Sequence, residues 1–427
     1  MEIKEIRMNR LSVPGNVQEW NVYGASCKTP NLSQFPYDCW RSLGSPCSKM
    51  CCHTTCYEGE PMKLLERISW LKTRIQDNLF PHLRECCNDP LTEIQKELVI
   101  SLEVIGIEQC VSSPSYRWMG RTPEDRRPIA RAFVAKAVYD LPTTRMLIEM
   151  LHTMPNLRMI CGFVRKNDIP SESTFSRAFA EFARDDLGKK VHDALVEEHL
   201  SDQLIGHIAR DATAIMGNEK PAKKEKKEKA PKKKGRPKKG ETRPVKDESR
   251  LFLQIAQSPV EALHGIPTHC DVGTKKNAQG YKETWRGYKL HVDTTESGFP
   301  VTTVLTSASL HDSQVAIPMM KLTSGKVTYL YDLMDSAYDA APIWDVSRSL
   351  GHVPLIDKNP RRGEVIPMAP AEALRYNERT ASERLNARLK EEFGARHVMV
   401  RGHKKVNLHL MFGIIALFVD QLVRLAL

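Results

Sequence analysis

Four side chains in the stretch YNERTASERLNARLKEE, residues 376–392, have the types that phosphate chemistry uses: Tyr376, Arg379, Glu383 and Lys390. If the stretch is one helix, offsets of 0, 3, 7 and 14 at about 100° per residue place them near 0°, 300°, 340° and 320°, within an arc of about 60°. A narrow face with an acid, two bases and a phenol is not a core stripe. Two more acids follow β-favouring runs: Asp211 comes after IGHIAR, and Asp335 closes TYLYDLMD. Three carboxylates from distant parts of a chain can hold two hard divalent cations, because Mg²⁺ takes oxygen ligands and keeps water and phosphate oxygens in its shell. Two such ions about 3.5–4 Å apart can activate an attacking hydroxyl and stabilise the leaving oxygen of an in-line phosphoryl transfer. Asp332 competes with Asp335, but the two are three residues apart on a strand and point to opposite faces.

The elements that must position these groups change character along the chain. Residues 1–60 are rich in Cys, Pro, Asn and Ser and show little periodicity, so an irregular extension is expected. Residues 61–203 alternate apolar and polar residues at helical period and predict an all-α domain. Residues 204–427 predict a central mixed sheet covered by helices, an α/β domain. Its strands are LIGHIARDATA, a hairpin of WRGYKLHVDTT and FPVTTVLTSAS about the turn ESG, then KVTYLYDLMD and HVPLIDKN. Residues 217–248 interrupt it with a lysine-rich insertion too poor in apolar residues to form a core, expected to be disordered. His311 and Asp312 in SLHDSQ sit at a helix start, where N-capping is the plain role.

The net charge is +11 over 427 residues. Between Glu219 and Lys239 there are 12 Lys/Arg and 3 Glu, a net of +9, which leaves +2 for the remainder. The basicity is therefore local, and it suggests a polyanionic partner for that segment. Within it, KKKGRPKKGE resembles an AT-hook: Arg236 on a narrow arm suits an AT-rich minor groove, and Lys234 and Lys238 would neutralise phosphates. A solvated linker with nonspecific affinity for DNA is the alternative. The N-terminus lacks an apolar signal segment, and the longest apolar run, LMFGIIALFV, is too short to span a bilayer, so no membrane partner is expected. That run reads as a buried C-terminal helix. The 11 cysteines read as free thiols. Cys39, Cys47, Cys51, Cys52, His53 and Cys56 cluster without standard zinc spacing, so zinc is not expected.

YNERTASERLNARLK matches the pattern Y-x2-R-x3-E-x6-K at every fixed position, and in this it resembles the DDE transposases of bacterial insertion sequences. GHIARDATAI is similar to their first-Asp strand, DLMDSAYDA to their second-Asp segment, and IPSESTFSRAF to part of their N-terminal domain. The resemblance spans about residues 85–427. It implies a ribonuclease-H-like catalytic domain with two Mg²⁺ (or Mn²⁺) ions held by Asp211, Asp335 and Glu383. It implies cleavage at terminal inverted repeats of double-stranded DNA, transfer of the 3′ hydroxyl into target DNA, a homodimer that pairs two ends, and a cytoplasmic, nucleoid-associated protein. Arg379 and Lys390 would reach phosphates beside the scissile bond. Tyr376 would meet a phosphate or stack on a displaced base. Each has a plainer reading: an ion pair between Arg379 and Glu383, a solvated Lys390, a packed Tyr376. Arg177, after Ser173 and Thr174, would face DNA from a helix-turn-helix-like unit capped by Ser171. The alternatives to an active enzyme are an inactive copy and a non-enzymatic DNA-binding regulator.

Overall fold

At Leu204 the chain changes from helical to strand periodicity, and Leu204–Met216 forms β1, a central strand of a six-stranded sheet. The computed structural model describes residues 90–111, 124–222, 249–276, 279–360 and 367–426. The N-terminal extension with its cysteine cluster, the helix expected before residue 90, and Lys234, Arg236 and Lys238 lie outside these residues.

β1 pairs antiparallel with β3, Lys282–Thr295, and parallel with β5, Thr328–Met334. β6, Val353–Ile356, adds parallel to β5. β2, Asp271–Lys276, and β4, Pro300–Ser307, both pair antiparallel with β3. The expected β3–β4 hairpin is present, and Gly298 supplies the positive φ of +86° that its turn requires. β2 was not foreseen, because DVGTKK lacks the alternation of a half-buried strand. Gly287 of β3 sits where a Cβ would lie 2.2 Å from the Ile215 carbonyl oxygen, so only glycine lets β1 and β3 close here.

Among the described residues, the elements from Glu93 to Leu200 are all helical. In chain order they are α1 (Glu93–Ile105), α2 (Arg127–Val138), α3 (Thr144–Thr153), α4 (Pro155–Ile160), α5 (Glu172–Arg184) and α6 (Leu187–Leu200), with two short 3₁₀ turns. Thr143 caps α3 by accepting from the Met146 N–H, and Pro155 starts α4, since it cannot continue the preceding helix. Two short helices precede β2: α7 (Arg250–Ala256) and α8 (Pro259–His264). α9 (Ser313–Ser324) and α10 (Ala341–Ser349) flank β5.

The stretch expected to be one helix over 376–392 is not continuous. α11, Pro370–Tyr376, ends at the tyrosine; a 3₁₀ turn, Asn377–Arg379, follows; then α12 runs Thr380–Glu391. The cause is local and tertiary together. Thr380 Oγ1 bonds back to the Asn377 carbonyl at 2.9 Å, and the Tyr376 ring is drawn into a cluster with Ala209, Leu333 and Leu355. The 3₁₀ turn advances about 120° per residue, so Tyr376 leaves the common face.

α13, His403–Leu425, closes the described chain. It is long and apolar enough to cross a membrane, yet most of it is buried inside the protein. One hydrophobic cluster joins Leu98, Phe133, Phe175 and Leu195 of the helical layer to Phe412 and Phe418 of α13 and to Ile208, Leu290 and Val292 of the sheet. Phe133 and Phe412 stack with ring centroids 5.7 Å apart, and Gly188 of α6 lets α13 approach, since a Cβ there would meet the Met411 side chain at 2.6 Å. The other sheet face is covered by Ala316, Ile317 and Met320 of α9 and Ile343 and Val346 of α10. The result is a mixed sheet between helical layers, an α/β arrangement.

Candidate active site

The offset that joins β1 and β5 sets the site. Their last parallel pair is Arg210↔Met334, so one step on the same register brings Asp211 beside Asp335. Neighbours in register share a face, and successive residues alternate. Asp211 and Asp335 therefore lie together on the side of α12, while Arg210 points through the sheet to the other side.

There Arg210 meets two acids in the core. Its Nη2 donates to Asp293 at 2.7 Å and its Nη1 to Asp332 at 3.4 Å, with all three side chains inaccessible. Asp332 also accepts from Ser347 Oγ at 2.6 Å and Tyr329 OH at 3.1 Å. Burial opposes the charge on Arg210, and the carboxylates of Asp293 and Asp332 overcome it and raise its pKa. Asp332 is thus committed to the core, on the face opposite Asp335, as the three-residue separation requires.

Asp335 ends β5 and caps the following 3₁₀ turn by accepting from the Ala337 N–H at 3.0 Å. Burial pushes its carboxyl above the usual range, the Asp312 carboxylate adds to this, and the Ala337 N–H and Arg379 oppose it. Asp211 is pushed up to about 6, first by burial and then by Asp335 and Asp312, against a backbone N–H from Ala212 and the Arg379 charge. The two aspartates form an anionic pair, and Arg379 is a cation that acts on both. Asp312, read in sequence as a helix cap, makes no capping bond. Its carboxylate is held by Lys289 Nζ at 2.8 Å, close enough to act on both aspartates. Asp339 braces the rim, accepting from Trp344 Nε1 at 3.1 Å and from the Asn359 N–H at 3.0 Å.

α12 lies across this pocket. Its buried face is Ala381, Ser382, Leu385, Asn386 and Leu389. Asn386 Nδ2 donates to Asp211 Oδ2 at 3.0 Å, and its own Oδ1 has no partner among the described residues. Sequence reasoning missed Asn386, although Arg379, Glu383, Asn386 and Lys390 are spaced 4, 3 and 4, which is one helical stripe. Glu383 sits in the first turn of α12 with its side chain 54% exposed, and its carboxylate pairs with Arg379 Nη2 at 2.5 Å. The plainer reading of Arg379 is therefore realised. Asp211 and Asp335 are brought together, Glu383 is not brought onto them, and no group of three His, Cys, Asp or Glu among the described residues is close enough to hold a metal ion. The Tyr376 hydroxyl is also engaged, donating to Asp357 Oδ2 at 2.8 Å and the Met334 carbonyl at 3.2 Å. Lys390 forms no pair among the described residues; burial and then Lys275 lower its pKa, and Asp211 pulls it the other way. Arg177 is exposed on α5 and bonds back to Ser173 O at 3.3 Å and Thr174 Oγ1 at 3.2 Å. Ser171 stands at the N-cap of α5, but its hydroxyl meets those of Ser173 and Thr174 instead of a backbone N–H.

Two family models match this chain. Residues 89–181 match a family described as a transposase domain (DUF772), and residues 264–419 match a transposase DDE domain that includes Asp335 and Glu383. The chain belongs to the insertion-sequence DDE transposases. No curated protein and no solved structure matches it. Asp211 lies ahead of the matched DDE segment, so for this transposase its place in the site rests on the β1–β5 register.

Proposed function

We propose that this transposase cuts DNA at the terminal inverted repeats of its element and joins the freed 3′ hydroxyl to target DNA, with Asp211, Asp335 and Glu383 as its catalytic carboxylates. The observation that carries the reading is the side-by-side placement of Asp211, within β1 where its pairing with β5 stops, and Asp335, just after the end of β5, under α12. The sheet order supports a ribonuclease-H-like domain: an antiparallel hairpin on one side of β1 and two parallel strands on the other.

The donor set fits a hard divalent cation, because two neighbouring carboxylates, both pushed up by burial and by other acids, gain most from an added positive charge. Asp211 and Asp335 would hold it, with Glu383 as the third carboxylate. Mg²⁺ or Mn²⁺ bound in a pair would supply a metal-activated hydroxyl and charge stabilisation at the leaving oxygen. Asn386 holds the Asp211 carboxylate in place through its amide N–H. Arg379 stands between Glu383 and the aspartates in electrostatic terms, so an incoming phosphate that drew the guanidinium away would release the glutamate. Lys390, unpaired and half-buried, is the second cation able to seat the backbone. The helical layer with Arg177 and the basic segment with Lys234, Arg236 and Lys238 would bind the double-stranded DNA, and a homodimer would pair the two ends.

A second reading, a copy that binds DNA without cutting, is favoured by one observation: Glu383 is paired with Arg379 and apart from the aspartates. The deciding experiment is cleavage of a labelled duplex carrying the element's terminal repeat with Mg²⁺, comparing the parent with Glu383→Gln and Asp335→Asn. Nicking at the repeat end that both variants lose supports the enzyme. Binding without nicking by any of the three proteins supports the second reading, and equal nicking by all three would remove both carboxylates from the mechanism.

A further inference from the structure

β2 and the first half of β3 form a two-stranded ribbon that runs past the core. Thr274 and Lys275 on β2 and Lys282, Glu283, Thr284 and Arg286 on β3 are all exposed. Consecutive residues of a strand point to opposite faces, so this ribbon is open to solvent on both. The register is Val272↔Arg286, Thr274↔Thr284 and Lys275↔Glu283. One face therefore carries Val272, Thr274, Lys282, Thr284 and Arg286, with two bases and no acid; the other carries the Lys275–Glu283 pair at 3.6 Å. Neither Lys282 nor Arg286 is paired among the described residues.

A bare two-stranded ribbon is marginal in water, and this one is fastened at its root. The Trp285 ring lies against Gly273, where a Cβ would come within 2.4 Å of it, and Trp285 Nε1 donates to the Tyr288 carbonyl at 3.0 Å. The ribbon also lies near the active site: Lys275, toward its tip and on its other face, and Asp211 of the site both act on Lys390.

We propose that the β2–β3 ribbon is a second DNA contact, laid by its acid-free face on the duplex that flanks the cleavage point. The partner is double-stranded DNA because the face offers cations and hydroxyls, the groups that meet phosphates, and because a two-stranded ribbon has the dimensions of the major groove. The contact lies beside the chemistry, so it affects how flanking DNA is held and leaves the reacting groups alone. The inference rests on the active-site reading above. A purely structural ribbon would keep its lysines only to discourage edge-to-edge pairing.

The test is the double substitution Lys282→Gln with Arg286→Gln in the full chain. Binding to terminal-repeat DNA is measured against salt concentration on two duplexes, one ending at the cleavage point and one extending well beyond it. Two lost phosphate contacts should make the slope of log K against log salt shallower by about 1.8 on the long duplex, while nicking of the short one keeps the parent rate. An unchanged slope on the long duplex overturns the proposal. Asp335→Asn on the same DNA separates the two readings. If it abolishes nicking while the double variant keeps the parent slope, the ribbon contact alone falls. If it nicks as the parent does, the active-site reading falls, and a shallower slope in the double variant still supports the ribbon contact.

Discussion

Replacing Arg210 with methionine tests whether the buried triad under β1 holds the site in register. The substitution removes the cation that pairs with both Asp293 and Asp332, which are inaccessible to solvent. Asp293 keeps Thr323 as a donor, and Asp332 keeps Ser347 and Tyr329, so each loses its charge partner but not all its hydrogen bonds. Breaking a buried pair in this way costs about 3–5 kcal/mol. The cheapest escape is to protonate a carboxyl whose ordinary pKa is about 3.9, which at pH 7.5 costs about 5 kcal/mol for each acid so treated. Arg210→Met should therefore lose about 5 kcal/mol or more, comparable with the whole stability of many domains. The loss should shrink by about 1.4 kcal/mol per protonated carboxyl for each unit the pH is lowered. Urea unfolding at pH 7.5 and 5.5 reads both effects. Adding Asp293→Asn and Asp332→Asn to Arg210→Met should recover most of the loss. A deficit below about 1 kcal/mol for the single variant, or one that does not change with pH, would refute the argument.

Asn386→Ala leaves the Asp211 carboxylate without its side-chain donor, and cleavage should fall about 10- to 100-fold while affinity for terminal-repeat DNA stays at the parent value; gel-shift and nicking assays on one preparation check this. Gly287→Ala places a Cβ against the Ile215 carbonyl oxygen at a φ of +146°. It should lower stability by about 2 kcal/mol or more, read from the urea midpoint. His192 is buried and His409 half-buried; they are bonded to the carbonyls of Pro300 and Gly394 and held neutral by desolvation, with pKa values pushed down to about 4 and about 3. The unfolded chain therefore takes up their protons first. Their contribution is complete above about pH 6.5 and is lost as pH falls toward 4, each costing about 2 kcal/mol by pH 5. His192→Gln should flatten part of that acid loss in a stability-against-pH series, and an unchanged profile would show that His192 is not buried neutral.

Much of the order of elements was legible because periodicity is a local property. β1, the β3–β4 hairpin, β5 and β6 follow from alternation and turn residues, and α13 follows from an apolar run that had to be buried. The opposite facing of Asp332 and Asp335 was legible for the same reason, since three steps along a strand reverse the side chain. β2 was not legible, because an edge ribbon exposed on both faces has no apolar alternation to read. Nor was the break at Tyr376. Helical spacing across 376–392 is intact in the sequence, and what interrupts it is the demand of the Leu333–Leu355 cluster and Asp357 on the tyrosine, groups at least 19 residues away.

By itself, then, the sequence determined the residue types of the site, the strands that carry Asp211 and lead into Asp335, and the helix stripe that carries Glu383, although β1 runs on past Asp211 to Met216. The tertiary structure alone decided which groups meet. Register between two strands 124 residues apart set Asp211 beside Asp335. The same strand pairing sent Arg210 through the sheet to Asp293 and Asp332, the packing of α12 made Asn386 instead of Glu383 the partner of Asp211, and the pair with Lys289 made Asp312 a third aspartate near the pocket instead of a helix cap. The physical reason is that spacing along a chain fixes direction within one element, whereas distance between elements depends on how the sheet and its helices bury their faces together.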